Sequence, residues 1–390
     1  MGDRLIPFHL ARQLSRRGYQ IDLLAFYQQA SDLADVPYYE RYFQHVTLIR
    51  EPMRAPHNLL ARVIWPRRRF PTRRSQSWAP EMWQAIEERL ALRRVYDVVH
   101  LFGGVQVYEF RHLVRDYPAL IAPYESYSLY LKQALAQASS PLQRLLLRLQ
   151  LMMARRYESW MFEGFQRVVV VSDKDARMLG ALNPGLRLEV IPNGVDVEHF
   201  TPTGHEPGKP VLLFTGNFAY WPNVDAAMRL IKQIFPQVKR AVPQAEVLIV
   251  GSNPPPELRA LQGGEVHIAG HVPDLRPYFE NALLYVSALR LGAGIKNKIL
   301  EAMAMQTAVV ATPLSCDGIN VTHGQNVILA RRTEDLTKAV IRMLQDTRLR
   351  RQIAAGGREL VEKHYTWRCV ANAYETLYET VIREHKDRAR

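Results

Sequence analysis

Leu289–Met305 reads LRLGAGIKNKILEAMAM. Two glycines, Gly292 and Gly294, stand between Arg290 and the pair Lys296 and Lys298, and Glu301 follows three residues later. The apolar run Leu284–Val286 just before it predicts a buried strand, so the glycine loop leaves that strand's carboxyl end. Open α/β sheets bind their ligands at that end. Gly292 and Gly294 let the backbone come close to a ligand. A helix starts near Ile295, and the first N–H groups of a helix are free and carry the positive end of its dipole. Ile295, Lys296 and Asn297 therefore offer backbone donors, while Arg290, Lys296 and Lys298 add full charges. The chemistry is that of a diphosphate cradle. Glu301 shares a helix face with Lys298 at a three-residue step. A carboxylate there would repel phosphate but accept hydrogen bonds from sugar hydroxyls. The ligand so described is a nucleoside diphosphate bearing a sugar, linked to UDP or GDP. The competing reading is an amphipathic helix behind a loop of incidental basic residues.

Elsewhere the chemistry is sparser. Asp173-Lys174-Asp175 has the spelling of a metal-binding triplet, but it follows the strand-like VVVVS, where Ser172 or Asp173 is placed to cap a helix. Cys316 and Cys369 are the only cysteines and histidines do not cluster, so no metal, no disulfide framework and no cofactor beyond the nucleotide-sugar co-substrate is expected. No protein nucleophile is evident. Arg62–Arg74, RVIWPRRRFPTRR, mixes six arginines with Trp65 and Phe70, and no acidic residue lies between Glu51 and Glu81. Such a segment suits an anionic membrane face at about 1 kcal/mol per basic residue, or a lipid-diphosphate acceptor. A solvated loop is the plainer alternative. Leu142–Met153 has membrane-docking character too, but a core helix is the favoured reading. Asn193-Gly194 reads as a tight turn without a catalytic role.

These groups must be held by a larger frame. At 390 residues the chain exceeds one ordinary core, and 47% hydrophobic with 23% charged residues describes a globular protein. The net charge of +13 fits an acidic substrate, an anionic membrane or nucleic acid without choosing among them. The opening residues carry no signal-peptide pattern. Short, non-alternating apolar runs recur in both halves: Gln20–Phe26, Val95–Phe102, Ala119–Tyr124, Arg167–Val171 and Leu188–Ile191, then Val211–Thr215, Glu246–Val250, Val266–Ala269, Leu284–Val286 and Ala308–Ala311. Helical patterns separate most of them, at Leu5–Arg17, Leu142–Glu163, Asn223–Val242 and Asp335–Asp346. Parallel sheets covered on both faces follow. The predicted architecture is α/β: two doubly wound, Rossmann-like domains, residues 1–203 and 209–366, joined near His199–Pro210. The last helix, 367–390, is expected to cross back onto the first domain. A doubly wound domain opens with a strand and a glycine turn, yet Gly2 looks like the tail of such a turn and Leu5–Arg17 like its helix. A start further upstream is the favoured explanation, and a sheet without its central strand is the other.

Several stretches together resemble the retaining glycosyltransferases of family four, which have the GT-B fold with the two domains facing a cleft. They are VVVVSDKDARML, VIPNGVDVEHFTP, LLFTGNFAYWPNVDAA, VLIVG, GHVPDLRPYF, LGAGIKNKILEAMAM and HYTW. The flavour resembles sugar transferases of exopolysaccharide and exosortase gene clusters. The resemblance implies that Glu301 holds the donor ribose. The first glutamate of the family's pair falls on Ala293 and is absent. The family's Arg and Lys after the first strand of the second domain are replaced by Gly216-Asn217-Phe218-Ala219. Lys296, Lys298 and Arg290 are then left to carry the diphosphate. His271-Val272 would lie along the donor base. The family's histidine after the strand Ala119–Tyr124 is replaced by Tyr124-Glu125-Ser126, which makes Glu125 the candidate near the anomeric carbon. Gly2, Tyr124 and Glu125 fall on the acceptor side. The resemblance also implies retention by front-face attack, the departing phosphate taking the acceptor's proton.

The expected activity is that of a metal-independent, retaining hexosyltransferase acting on a glycan or lipid-linked acceptor. It would work in the cytoplasm or at the inner face of the membrane. A nucleotide-sugar epimerase on the same fold and a donor-binding protein without turnover are the alternatives. Nucleic acid is not an expected partner, since the basic segment lacks a fold for that role.

Overall fold

A computed structural model describes residues 2–53, 62, 69–92, 96–138, 140–292 and 295–389. The chain divides into two compact units, Met1–Ile191 with Val370–Arg390, and Pro192–Cys369. The division falls ahead of the linker expected near residues 199–210. The reason is apolar: Val195 is buried in the second unit's core, and Val197 and Phe200 pack against it. The Val195 N–H also donates to the Tyr365 carbonyl at 2.7 Å.

In the first unit, helix α1 (Gly2–Ser15) leads into β1 (Asp22–Tyr27), which pairs in parallel with β2 (His45–Arg50). A separate parallel sheet has the order β3 (Val99–Phe102), β4 (Ala119–Tyr124), β5 (Arg167–Val170), β6 (Leu188–Val190). β5 and all of β4 but its last residue are buried, as their unbroken apolar runs require. A doubly wound sheet has the strand order 3-2-1-4-5-6. The pair β2-β1 and the sheet β3-β4-β5-β6 correspond to its flanks, 3-2 and, with one strand more, 4-5-6, and no strand among the described residues takes the central place. Helices α2 (Pro80–Ala91), α3 (Tyr127–Gln137), α4 (Pro141–Glu158) and α5 (Asp173–Leu182) surround these strands in sequence. The carboxyl-terminal helix, Trp367–Ala389, belongs to this unit from Val370 onward. Its Glu375 pairs with Arg17 at 2.6 Å, and its Glu384 with Arg167 at 2.5 Å and Arg187 at 3.0 Å. Tyr378 places its hydroxyl 2.7 Å from His100 Nδ1.

The second unit holds one six-stranded parallel sheet in the order β12-β11-β10-β7-β8-β9. Its strands are β7 (Val211–Thr215), β8 (Glu246–Val250), β9 (Val266–Ala269), β10 (Leu284–Ser287), β11 (Ala308–Ala311) and β12 (Ile328–Leu329). Read from β9, this is 3-2-1-4-5-6, the full doubly wound order. The helix expected over Asn223–Val242 is interrupted. It runs as α6 (Trp221–Arg229), continues as a π-helical turn over Leu230–Ile234, and resumes at Phe235–Ala241. Pro236 has no N–H to donate back along the helix, so the regular ladder breaks just before it. Helices α7 (Asn297–Ala304), α8 (Thr333–Gln345) and α9 (Thr347–His364) complete the unit's longer helices.

Candidate active site

The second sheet changes direction between β7 and β10, which pair through Leu212↔Leu284 and Leu213↔Tyr285. A crevice at the carboxyl ends of such a pair is where doubly wound folds take ligands. The loops that leave those ends are Gly216–Tyr220 and the one that begins with Ala288–Gly292. They face each other. A Cβ built on Gly292 would lie 3.5 Å from the Tyr220 hydroxyl and 3.2 Å from Lys296 Cε. Gly292 has φ +131°, so a side chain there is barred by backbone strain as well. Tyr220 thus joins the loop that Gly292 was expected to shape. It lies in a quoted family stretch, but nothing in its spacing marked it for this place.

The β7 loop is braced from beneath. Gly251, at the end of β8, has φ +150°, and a Cβ on it would sit 1.7 Å from the Gly216 carbonyl oxygen. Asn217 accepts at Oδ1 from the Ala219 N–H (3.1 Å) and Asn253 Nδ2 (3.3 Å), and its carbonyl accepts from Asn223 Nδ2 at 2.8 Å. Its side chain therefore holds the loop's shape. Phe218 N–H donates to the Ser252 carbonyl, and Ser252 Oγ lies 3.2 Å from His271 Nδ1, so the loops after β7, β8 and β9 are linked in a row. Val272 is half-buried against the core on the last of them.

Helix α7 starts after Lys296, whose side chain makes no capping bond. Ile299, Leu300, Ala302, Met303 and Ala304 are buried, and Ile295 packs on the core just ahead of the helix. The apolar face thus fixes the helix axis and leaves its amino end at the loop. Lys298 Nζ lies 3.0 Å from each carboxylate oxygen of Glu301, which is only 8% exposed. Asn193 Nδ2 donates to Asn297 Oδ1 at 2.7 Å. The turn that carried no assigned role is therefore seated on the first residue of α7. A Cβ on Gly194 would meet Trp367 at 2.8 Å, which pins the turn from its other side.

Arg290, expected on the diphosphate, is paired within the unit: its Nε donates to Asp225 Oδ2 at 3.0 Å and its Nη2 to Asp225 Oδ1. The paired carboxylate holds the guanidinium charged and compensates it. Sequence spacing could not show this, since the partner lies on α6. The same helix contributes Arg229, buried, which donates to the Ala288 carbonyl (3.1 Å) and to Thr333 Oγ1. It fixes the root of the β10 loop. Gly294 and Ala293 lie outside the described residues.

The first unit carries the other candidates. Tyr124 ends β4 with φ +70°, and its carbonyl accepts from the Val171 N–H. Glu125 is exposed at that strand end. Gly2 is the first residue of α1. Ser126 caps α3, and two buried carboxylates brace it. Asp175 accepts from the Ser126 N–H at 2.9 Å. Glu158 accepts from Ser126 Oγ, the Tyr127 N–H (2.7 Å) and the Ser128 N–H (3.1 Å). Burial raises the Glu158 carboxyl above its ordinary range, against these hydrogen bonds. Ser172 caps α5 by accepting from the Asp175 N–H, as its sequence context suggested. The sequence marked neither Asp175 nor Glu158 as a brace, because both act across helices.

The basic segment Arg62–Arg74 is described only in part. Arg62 is buried, pairs with Glu109 at 2.5 Å and donates to the Gln76 carbonyl. Phe70 packs edge-on against Tyr108 and Trp160, and Arg69 lies over the Trp160 ring. Arg62, Arg69 and Phe70 thus pack within the first unit. Residues 63–68 lie outside the described set, and Arg73 and Arg74 are exposed.

Two parallel α/β units, one with a helix amino end beside a glycine loop at its switch point, define a doubly wound class of fold. The solved structures it resembles narrow that class. Sucrose-phosphate synthase from Thermosynechococcus elongatus superposes with a TM-score of 0.69 at 19% identity, covering 96% of this chain and 92% of that one. Anabaena Alr3699/HepE, solved in complex with UDP and glucose, gives 0.61 at 14%, covering 93% and 100%. The fold is GT-B, that of many glycosyltransferases. Family models for "Glycosyltransferase Family 4" and "Glycosyl transferases group 1" match residues 8–199 and 209–346, and the chain belongs to glycosyltransferase family four. Phosphatidyl-myo-inositol mannosyltransferases are similar to part of it. The protein of Mycolicibacterium smegmatis is 29% identical over 202 residues, 49% of this chain and 51% of that protein. That of Mycobacterium tuberculosis H37Rv is 29% identical over 210 residues, 49% and 53%. The chain spans about half the length of the curated relatives it matches.

Proposed function

We propose that this chain transfers a sugar from a nucleotide-sugar donor to a glycan or lipid-linked acceptor, with retention and without a metal. One observation carries the reading. At the switch point of the second sheet, the amino end of α7 meets the glycine loop, with Lys296 and Lys298 beside it and Glu301 buried one turn in. Backbone N–H groups and the two lysines would hold the UDP or GDP diphosphate. Glu301 would accept the ribose hydroxyls. Lys298, now shared between both Glu301 oxygens, would reach from that carboxylate to a phosphate oxygen. As the glycosidic bond breaks, charge grows on the diphosphate, and the same donors stabilise it. Removing one such donor costs about 10²–10³-fold in rate. The acceptor's proton would pass to the departing phosphate oxygen on the face where the new bond forms, which retains the configuration. Glu125, exposed at the end of β4, is the first unit's candidate near the anomeric carbon. The mannosyl transfer named for the mycobacterial relatives supports a lipid acceptor.

The test uses a panel of UDP- and GDP-sugars with a bacterial lipid extract, reading free nucleotide and glycosylated product by mass spectrometry. Glu301→Ala should weaken nucleotide binding and abolish product. Undiminished donor binding and transfer in that variant would overturn the assignment. The pairing of Arg290 with Asp225 favours a donor-binding protein without turnover as the second reading, and donor binding without any product would establish it.

A further inference from the structure

Helix α4 was expected to be a core helix, and its surface is the reverse of one. Leu142, Leu145, Leu146, Leu149 and Met152 are 67, 54, 52, 49 and 58% exposed. Their spacing of three and four residues places them on one stripe. The helix's opposite face is the packed one: Ala154 and Glu158 are buried, and Leu147 and Leu151 are half-buried. Single exposed leucines are ordinary, but a contiguous stripe of five large apolar side chains marks an interaction surface.

The charge around the stripe says what covers it. At 100° per residue, Arg144, Arg148 and Arg155 fall together along one flank of the stripe, and Gln143 and Gln150 along the other. Arg144 donates through Nε to the Ala138 carbonyl, which ties it to the turn before the helix. No aspartate or glutamate occurs between Glu125 and Glu158, while Lys132, Arg144, Arg148, Arg155 and Arg156 all do. Among the described residues no helix is long and apolar enough to cross a membrane. A helix with an exposed apolar face, an arginine flank and its one acid, Glu158, buried on the opposite side is built to lie in the plane of a bilayer interface. Its leucines would enter the acyl boundary while its arginines meet lipid phosphates.

We propose that α4 docks this protein on an anionic lipid surface through Leu142, Leu145, Leu146, Leu149 and Met152, with Arg144, Arg148 and Arg155 at headgroup level. The proposal stands apart from the transfer reading, because vesicle binding needs no sugar donor. The test is cosedimentation of the full chain with vesicles of phosphatidylglycerol and phosphatidylcholine, and with vesicles of phosphatidylcholine alone. Binding should be stronger on the first and weaken with added salt. Leu145→Glu with Leu149→Glu should lower it by about tenfold or more. Arg144→Gln, Arg148→Gln and Arg155→Gln together should lower it by about a hundredfold, at about fivefold per charge. The melting temperature should stay unchanged in the leucine variant, since both positions already face water, and a shared loss of melting temperature is excluded by that measurement. No binding to either vesicle would overturn the proposal, as would equal binding by the leucine variant. A dimer in solution that the leucine variant splits, with no vesicle binding, would assign the stripe to a second copy of the chain instead.

Discussion

Lys298 and Arg290 are both cations beside the same loop, and each has a carboxylate partner. The partner of Lys298, Glu301, is itself a proposed ligand residue, so in the proposed function removing Lys298 would take charge from the diphosphate. Arg290 is matched by Asp225 and contributes no net charge as a pair. A hydrogen bond to a charged group is worth about 1.5–3 kcal/mol when formed in a desolvated site. Lys298→Ala should therefore lower UDP or GDP affinity by roughly tenfold or more. Removing the other pair as a unit, Arg290→Met with Asp225→Leu, should change affinity by less than about threefold, since exposed pairs contribute little. Isothermal titration with the free nucleotides compares the two. The cations of the loop were legible in the sequence. The partner of Arg290 was not, because Asp225 lies sixty-five residues away in sequence.

At the scale of elements, the proposed donor crevice depends on where the loop after β7 sits. Gly251, at the end of β8, lets that loop pack close. Its φ of +150° and the 1.7 Å approach to the Gly216 carbonyl leave no room for a side chain. Gly251→Ala should destabilise the second unit by about 1–3 kcal/mol or more through backbone strain and the clash. It should also weaken nucleotide binding by displacing the Gly216–Tyr220 loop. Urea unfolding and titration of the same variant read both effects. Most strands were legible here: Val211–Thr215, Glu246–Val250, Val266–Ala269 and Ala308–Ala311 match their apolar runs residue for residue. β2, with His45 and Thr47 among its apolar residues, and the two-residue β12 gave no run long enough to notice. The same reading could not tell that α4 turns its leucines outward. A period of 3.6 shows which residues share a face and is silent about what that face meets.

On the scale of the whole molecule, the carboxyl-terminal helix closes the first unit through His100. Its ring is half-buried, with Tyr374, Tyr378 and Phe102 around it. Burial lowers its pKa from 6.5 to about 3, so the folded protein keeps it neutral. The unfolded chain binds a proton near pH 6.5 that the folded one refuses. The stability tied to neutral His100 is therefore complete above pH 6.5 and is lost as pH falls toward 3. The slope is at most about 1.4 kcal/mol per pH unit. His100→Gln should flatten that limb of the stability curve while keeping a hydrogen-bond partner for Tyr378. Denaturant midpoints for both proteins between pH 7 and pH 4 test it.

By itself the sequence determined the α/β class, most of the parallel strands, and the glycine loop, lysines and Glu301 at the start of one helix. Those follow from local periodicity and from the φ freedom of glycine, and both are properties of neighbours in the chain. Tertiary structure decided the rest. It paired Arg290 with Asp225 and buried Arg62 on Glu109. It set Asn193 on the first residue of α7, and left the apolar stripe of α4 in water. Each of these is settled by which surfaces meet in space, since an ion pair or a buried face exists only when a distant part of the chain arrives to make it.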